Sequence, residues 1–263
     1  MKSFFDPVLA LDSLPFVLLG LRYTVLIAVA SMAGGMVLGL PIALSRMSDR
    51  RVLRGPARLY ISFMRGTPVL VLLFLFYFGL PSVGIGLSAV AAAIGAFALN
   101  SAAFIAEIDR GAILSVPKGQ WESARSLGMS QAQILFRVVL PQAARVAVPS
   151  LSNVMLDLIK ATSLASVITV QEVLLNAKII AGRTFDTFTM YLTAALVYWG
   201  VCSLFSLFQD RIEQRLNVAM AGPGSAAGGS GGGGGPGGAG GRGGAPGNAG
   251  GRGLSDAGPH AAE

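Results

Sequence analysis

Two stretches of this sequence carry no charged side chain over lengths that few water-soluble folds allow: residues 23–44 and residues 66–106. The hydrocarbon core of a bilayer is about 30 Å thick, and roughly 20 consecutive apolar residues in a helix cross it. The first stretch is one such segment. The second is too long for one, and Pro81, Gly84 and Gly86 interrupt it with an uncharged turn. Reading on gives spans at about 23–44, 61–80, 87–106, 146–165 and 188–208. The expected fold class is therefore all-α, a polytopic membrane protein with five transmembrane helices. Composition agrees: 53% of the 263 residues are hydrophobic and only 13% are charged, where soluble domains carry about a quarter charged.

Several chemistries are excluded early. Cys202 is the one cysteine and His260 the one histidine, so an internal disulfide, a Cys or His metal cluster and histidine catalysis are not expected. None of the lysines (Lys2, Lys118, Lys160, Lys178) ends a G-x-x-x-x-G-K-[ST] loop. The chain is expected to bind no cofactor, and any ATP hydrolysis belongs to a partner. The net charge of +7 fits basic loops of a membrane protein and not a nucleic-acid surface. The opening MKSFFDPVLALDSLPF lacks a signal-peptide pattern. Residues 1–22 read as an amphipathic lead-in to an uncleaved first span. Residues 218–263 are expected to form a disordered Gly/Ala/Pro-rich cytoplasmic tail, with too few apolar side chains to offset the entropy of ordering.

Orientation follows from Lys and Arg. One side receives Arg46, Arg50, Arg51, Arg54 and Arg58 after the first span, and Arg110, Lys118, Arg125, Arg137 and Arg145 after the third. Arg211, Arg215, Arg242 and Arg252 follow the fifth span on that side. The other side holds Lys2, Arg22, Lys178 and Arg183, while Arg65 and Lys160 lie within spans. The richer side is expected to be cytoplasmic, which puts the N-terminus outside and the C-terminus inside.

The loop at 110–145 is basic and full of caps and turns. Pro117 suits the first turn of a helix. A short helix over 118–127 ends at Gly128, placed for a left-handed cap. Ser130 and Gln133 form an S-x-x-Q capping box that opens a second helix. That helix runs to about Leu140, where Pro141 stops or bends it. Ala124 and Gly128, four apart, offer a shallow face for a partner, with Trp121 as an apolar anchor and Glu122 and Arg125 as charges. An amphipathic surface hairpin fits the same pattern, and the residues alone leave the two open.

Polar residues inside the spans also fall on faces. Ser150, Asn153, Asp157 and Lys160 recur at helical spacing in the fourth span, and Asp157 can pair with Lys160 along the helix. Intramembrane polar groups tend to line a cavity or hold one another. Either a pore-lining stripe or an ion pair tying helices together satisfies the pattern. Asn100, Phe104 and Glu107 share a face of the third span; Asn100 and Ser101 read as pore residues, and Glu107 as part of a gate near the inner end. Arg65, near the start of the second span, reads first as structural, with lipid phosphate, a loop cap and substrate contact as its other readings. Gly35 and Gly39 make a G-x-x-x-G that allows close helix approach.

Glu122-Ser123-Ala124, Gly128 and Val138-Val139-Leu140-Pro141 closely follow the E-A-A-x3-G-x9-I-x-L-P signature of ABC-transporter permeases. PKGQWESARSLGMS, LPQAARVAVPSLSN, ATSLASVI and Arg65-Gly66-Thr67-Pro68 resemble the polar amino-acid uptake family, over about residues 13–217. The resemblance implies a MetI-like permease core at 23–217 with cytoplasmic coupling helices, in a bacterial inner membrane. It implies that Gln120, Trp121, Glu122, Ala124, Gly128 and Pro141 dock on a cytoplasmic ABC ATPase. It also implies an outside amino-acid-binding protein and a second permease subunit, identical or not, in the bilayer. The substrate path would take in Asn100, Ser101, Glu107, Asn153, Asp157, Lys160, Thr162 and Ser163. The chain departs from the family where Lys-Asp-Thr-Ser-Leu becomes Lys160-Ala161-Thr162-Ser163-Leu164, and where a glutamine becomes Leu72. YISFMRGTP, PQAARVAVPSLSN and DTFTMYLTAALVYW resemble cystine-type permeases. The expected function is an importer permease for a polar amino acid working by alternating access. An ion-gradient-driven transporter and a membrane scaffold are the rival readings.

Overall fold

The computed structural model describes residues 5–220, with side chains through residue 214. From residue 221 the tail expected to be disordered lies outside the described residues. The described residues form helices joined by short turns and contain no strand.

Four helices are long and apolar enough to cross a membrane: Leu21–Met47, Ala89–Ser115, Gln131–Ile168 and Thr187–Gln214. We label the first two α2 and α5. The single span expected at 61–80 is instead a bent pair, Arg51–Gly66 (α3) and Val69–Val83, crossing at 101°; α4 (Val69–Phe74) opens the second arm. The break follows from sequence. Pro68 has no N–H to continue the helix and holds Thr67 in extended backbone, at φ −97° and ψ 129°. Counting the pair as one span gives five.

The lead-in is a short apolar helix, α1 (Pro7–Leu19), and not an amphipathic one. Asp6 caps it by accepting from the Val8 and Leu9 N–H groups. Gly20 then seats the chain on the start of a later helix, α9 (Val173–Thr184). A Cβ at Gly20 would come within 2.4 Å of the Glu172 carbonyl carbon and the Val173 nitrogen.

The bundle is built on α2 against α5. A Cβ at Gly35 would meet Ser101 Oγ at 2.4 Å, and one at Gly39 would meet Ile105 Cγ2 at 2.6 Å. The G-x-x-x-G is thus a helix contact, in which absent side chains let backbones close and dispersion forces accumulate. Ala92, Ala93, Ala96, Ala102, Ala103 and Ala106 continue the small-residue seam on α5, each fully buried.

The second helix of the basic loop does not end near Leu140. Gln131–Gln133 (α7), a π turn (Ile134–Val139), Leu140–Ala161 (α8) and a 3-10 stretch (Thr162–Ile168) run as one 38-residue rod. In the π turn the Leu140 N–H bonds to the Leu135 carbonyl, five residues back. That wider turn accommodates the Pro141 ring without breaking the rod. At about 1.5 Å per residue the rod exceeds a bilayer core, so one end projects from it. The final helix is α10 (Thr187–Met220).

Candidate functional site

The loop between α5 and α8 is tightly specified. Its first helix, α6 (Lys118–Ser126), has Pro117 as its N-cap. It ends in a left-handed glycine, Gly128, at φ +75°. The Gly128 N–H bonds to the Arg125 carbonyl at 2.9 Å and the Met129 N–H to the Ala124 carbonyl at 3.2 Å, which is a Schellman closure. Ser130 opens the next helix with both halves of a capping box. Ile113, Val116, Ala124, Ile134, Val139 and Ala143 pack together beneath. Gln142 Nε2 donates to Gln120 Oε1 at 3.2 Å. The α6 helix is therefore a rigid knob carried by α5 and α8, able to pass a push to both.

Two expected contact residues are placed otherwise. Ala124 is buried at 4% exposure, so its small side chain closes α6 onto its own hairpin instead of offering a face to a partner. Pro141 is exposed but lies in the rod. Gln120, Glu122 and Gly128 are exposed, and Trp121 is half-buried against the hairpin. Sequence reasoning missed Leu127, which is 81% exposed at the tip. Its signal was an apolar residue immediately before a helix-ending glycine.

A cavity of about 240 Å³ opens between α4, α5 and α8. Asn100, Ser101 and Asp157 supply its polar lining; Val69, Phe97, Phe104 and Ala161 are among its apolar walls. Asn100 Nδ2 donates to the Met64 carbonyl at 2.8 Å, which ties the cavity to the α3–α4 break. Its amide oxygen has no hydrogen-bond donor among the described residues. Asp157 and Lys160 form an exposed ion pair at 2.8 Å. Lys160 sits by a second opening, with Ser203, Ser206 and Asp210 of α10. The pair thus stands between two openings, one on each side of α8.

The cavity does not gather every expected residue. Asn153 is exposed on α8 and is not part of its lining. Thr162 is fully buried and donates to the Ile159 carbonyl at 2.7 Å. Ser163 donates to the Lys160 carbonyl at 2.8 Å. Both hydroxyls serve the backbone where α8 tightens into the 3-10 stretch. Glu107 lies further along α5, bonded to Arg46 of α2 and to Arg110 at 3.2 Å. Ala161, in contrast, does line the cavity. An acid at 161 and Asp157, one turn apart, would address the same space.

A buried polar knot at the opposite end of the rod was not anticipated. Glu172 is fully buried, caps α9 through the Leu174 and Leu175 N–H groups at 2.8 Å each, and accepts from Tyr198 Oη. Burial raises its carboxyl above the ordinary range, against the opposing pull of these hydrogen bonds. Asn176 Nδ2 donates to the Phe16 carbonyl at 2.9 Å and Lys178 Nζ to Ser166 Oγ at 3.0 Å. Residues of α1, the 3-10 stretch, α9 and α10 are bound together there. The partners lie far apart in sequence, so no local pattern announced them.

Comparison with known proteins gives consistent matches. The family of binding-protein-dependent transport system inner membrane components matches residues 35–218. A probable amino-acid ABC transporter permease of Bacillus subtilis, YckA, is 56% identical over 211 residues, covering 80% of this chain and 93% of that one. The L-cystine transport system permease TcyB of the same organism is 46% identical over 199 residues, covering 75% and 85%. Among solved structures, an amino acid ABC transporter crystallised with histidines matches with a TM-score of 0.75 at 35% identity, covering 82% of this chain and 100% of that one. The inward-facing MetNI methionine ABC transporter matches at 0.66 with 22% identity, covering 76% and 96%, a likeness of fold.

Proposed function

This chain belongs to the binding-protein-dependent transport system inner membrane components, and from that premise we propose how it carries its substrate and which residues do so. It is a multi-pass inner-membrane permease subunit of an ABC importer, not an enzyme; a separate ATPase subunit hydrolyses ATP, and a binding protein presents the substrate. The proposed substrate is a polar amino acid, with cystine as the first choice. TcyB, named for L-cystine transport, supports that choice at 46% identity.

The observation that carries the reading is the cavity holding Asn100, Ser101 and Asp157, with Lys160 paired to Asp157 at its edge. A zwitterion can meet both charges: its ammonium faces Asp157 and its carboxylate faces Lys160, replacing the internal pair. Cost and gain then nearly balance, which suits a site that must also release. Two permease subunits form the full pore, with the N-terminus outside and the C-terminus inside. ATP binding closes the ATPases, which hold the exposed side of α6 around Gln120, Glu122, Leu127 and Gly128. The movement passes through the packed hairpin into α5 and α8, opening the cavity to one side and then the other.

The test is uptake of labelled cystine by vesicles containing the permease, its ATPase and its binding protein. Gly128 has a positive φ that side chains adopt at a cost, and a carboxylate there would also face the partner. The Gly128→Asp protein is expected to remain in the membrane and to lose uptake and ATPase docking. Normal uptake in that variant would overturn the coupling role.

A further inference from the structure

On α3, Arg51, Arg54, Arg58, Ser62 and Arg65 recur every three or four residues and form one cationic stripe. A second stripe, Ala57 and Ile61, is buried, and Ile61 packs with Ala43 of α2 and Ala103 of α5. A third, Val52, Leu59 and Phe63, is 82%, 72% and 54% exposed. A cationic stripe beside an exposed apolar one is the pattern of a helix lying among headgroups with its apolar side in acyl chains. The 101° bend after α3 takes it out of line with the α4 arm.

The cationic stripe borders an open cavity of about 530 Å³ lined by Arg46, Arg58, Ile61, Ser62, Arg65 and Gly66. Three arginines from two helices line it together with Ser62. Arg46 also feels the like charges of Arg58, Arg65 and Arg110. Among the described residues, Glu107 is the one carboxylate paired with any of these four, and it bonds Arg46 and Arg110. Arg65 rests over the Phe104 ring at 5.5 Å, which orients the guanidinium without cancelling its charge. Arg58 has no ion-pair partner among the described residues. Four cations around one carboxylate favour a further anion, and planar guanidinium forks match phosphate oxygens.

We propose that this cavity holds the phosphate of an anionic phospholipid, gripped by Arg58 and Arg65 with Ser62, while its acyl chains lie along Val52, Leu59 and Phe63. Free phosphate shares the headgroup chemistry but would leave the apolar stripe unused. The site is a different opening from the Asp157 cavity, adjoining it at the Phe104 ring, and the proposal does not depend on what that cavity carries.

The test measures phospholipid retained by the permease–ATPase complex after extraction from vesicles of phosphatidylcholine and phosphatidylglycerol, counted by native mass spectrometry. The wild type is expected to keep phosphatidylglycerol in preference. R58Q/R65Q is expected to lose that preference about 25-fold, from roughly a factor of five for each arginine at an anionic surface. R58K/R65K, which keeps the charge, is expected to lose much less, and R137Q/R145Q, which removes equal charge on the α6–α8 hairpin, to match the wild type. Equal retention by R58Q/R65Q, or an equal loss in R137Q/R145Q, would overturn the assignment. Displacement of the lipid from the wild type by added inorganic phosphate would overturn it too, pointing to a small-anion site. That last measurement needs no variant and stands even if R58Q/R65Q fails to assemble.

Discussion

Asp157 and Ala161 line one cavity a helical turn apart. The family resemblance puts an acid at 161, and this chain has alanine there with an aspartate four residues earlier. In the proposed mechanism Asp157 supplies the displaced charge. Asp157→Asn should lose a charge-assisted contact of about 1.5–3 kcal/mol, or roughly ten- to a hundredfold in uptake. Adding Ala161→Asp to that variant should restore part of the uptake, because the carboxylate returns to the same space. Transport measured in vesicles checks both; unchanged uptake in D157N would remove Asp157 from the path. The Asp157–Lys160 pair was legible in sequence because it is local to one helix. The division of the polar residues was not. Thr162 and Ser163 sit on the same run, yet their hydroxyls close onto backbone carbonyls, a local competition that spacing alone does not reveal.

At the level of elements, glycine spacing and cap chemistry were the most readable signals. Gly128, Ser130 and Gln133 each do what their residue type favours. The prolines were less readable. Pro68 breaks its span, whereas a π turn carries Pro141 inside a continuous rod. A proline ring alone does not distinguish the two; the second comes with a π turn whose Ile134 and Val139 are packed in the hairpin. Gly35 is where the α2–α5 seam is most exposed to a single change. Gly35→Leu places a side chain where a Cβ alone already meets Ser101 Oγ at 2.4 Å. It should destabilise the purified protein by about 1–3 kcal/mol or more, read as a lower unfolding temperature in detergent. Gly111→Ala, on the facing helix α5 but with nothing within 4 Å of its Cβ, should leave stability unchanged or raise it by up to about 1 kcal/mol. Equal losses at both positions would contradict the close-approach account of the α2–α5 seam.

Across the whole molecule, the number of spans and the projecting loop were legible because burial in lipid restricts a chain to apolar helices. Tertiary ties were not, since Glu172 with Tyr198 and Asn100 with the Met64 carbonyl join residues far apart in sequence. The two ends of α5 define opposite poles of the bundle. The turn before it exposes Ile85, at 51%, and the loop after it exposes Leu127. The central claim is that an ATPase grips the Leu127 pole and moves a cavity that a binding protein fills from the other. A photo-reactive amino acid placed at either position in the assembled transporter tests it most directly. The account predicts that the probe at Leu127 captures the ATPase and the probe at Ile85 captures the binding protein; capture of the ATPase at Ile85, or of the binding protein at Leu127, would contradict it.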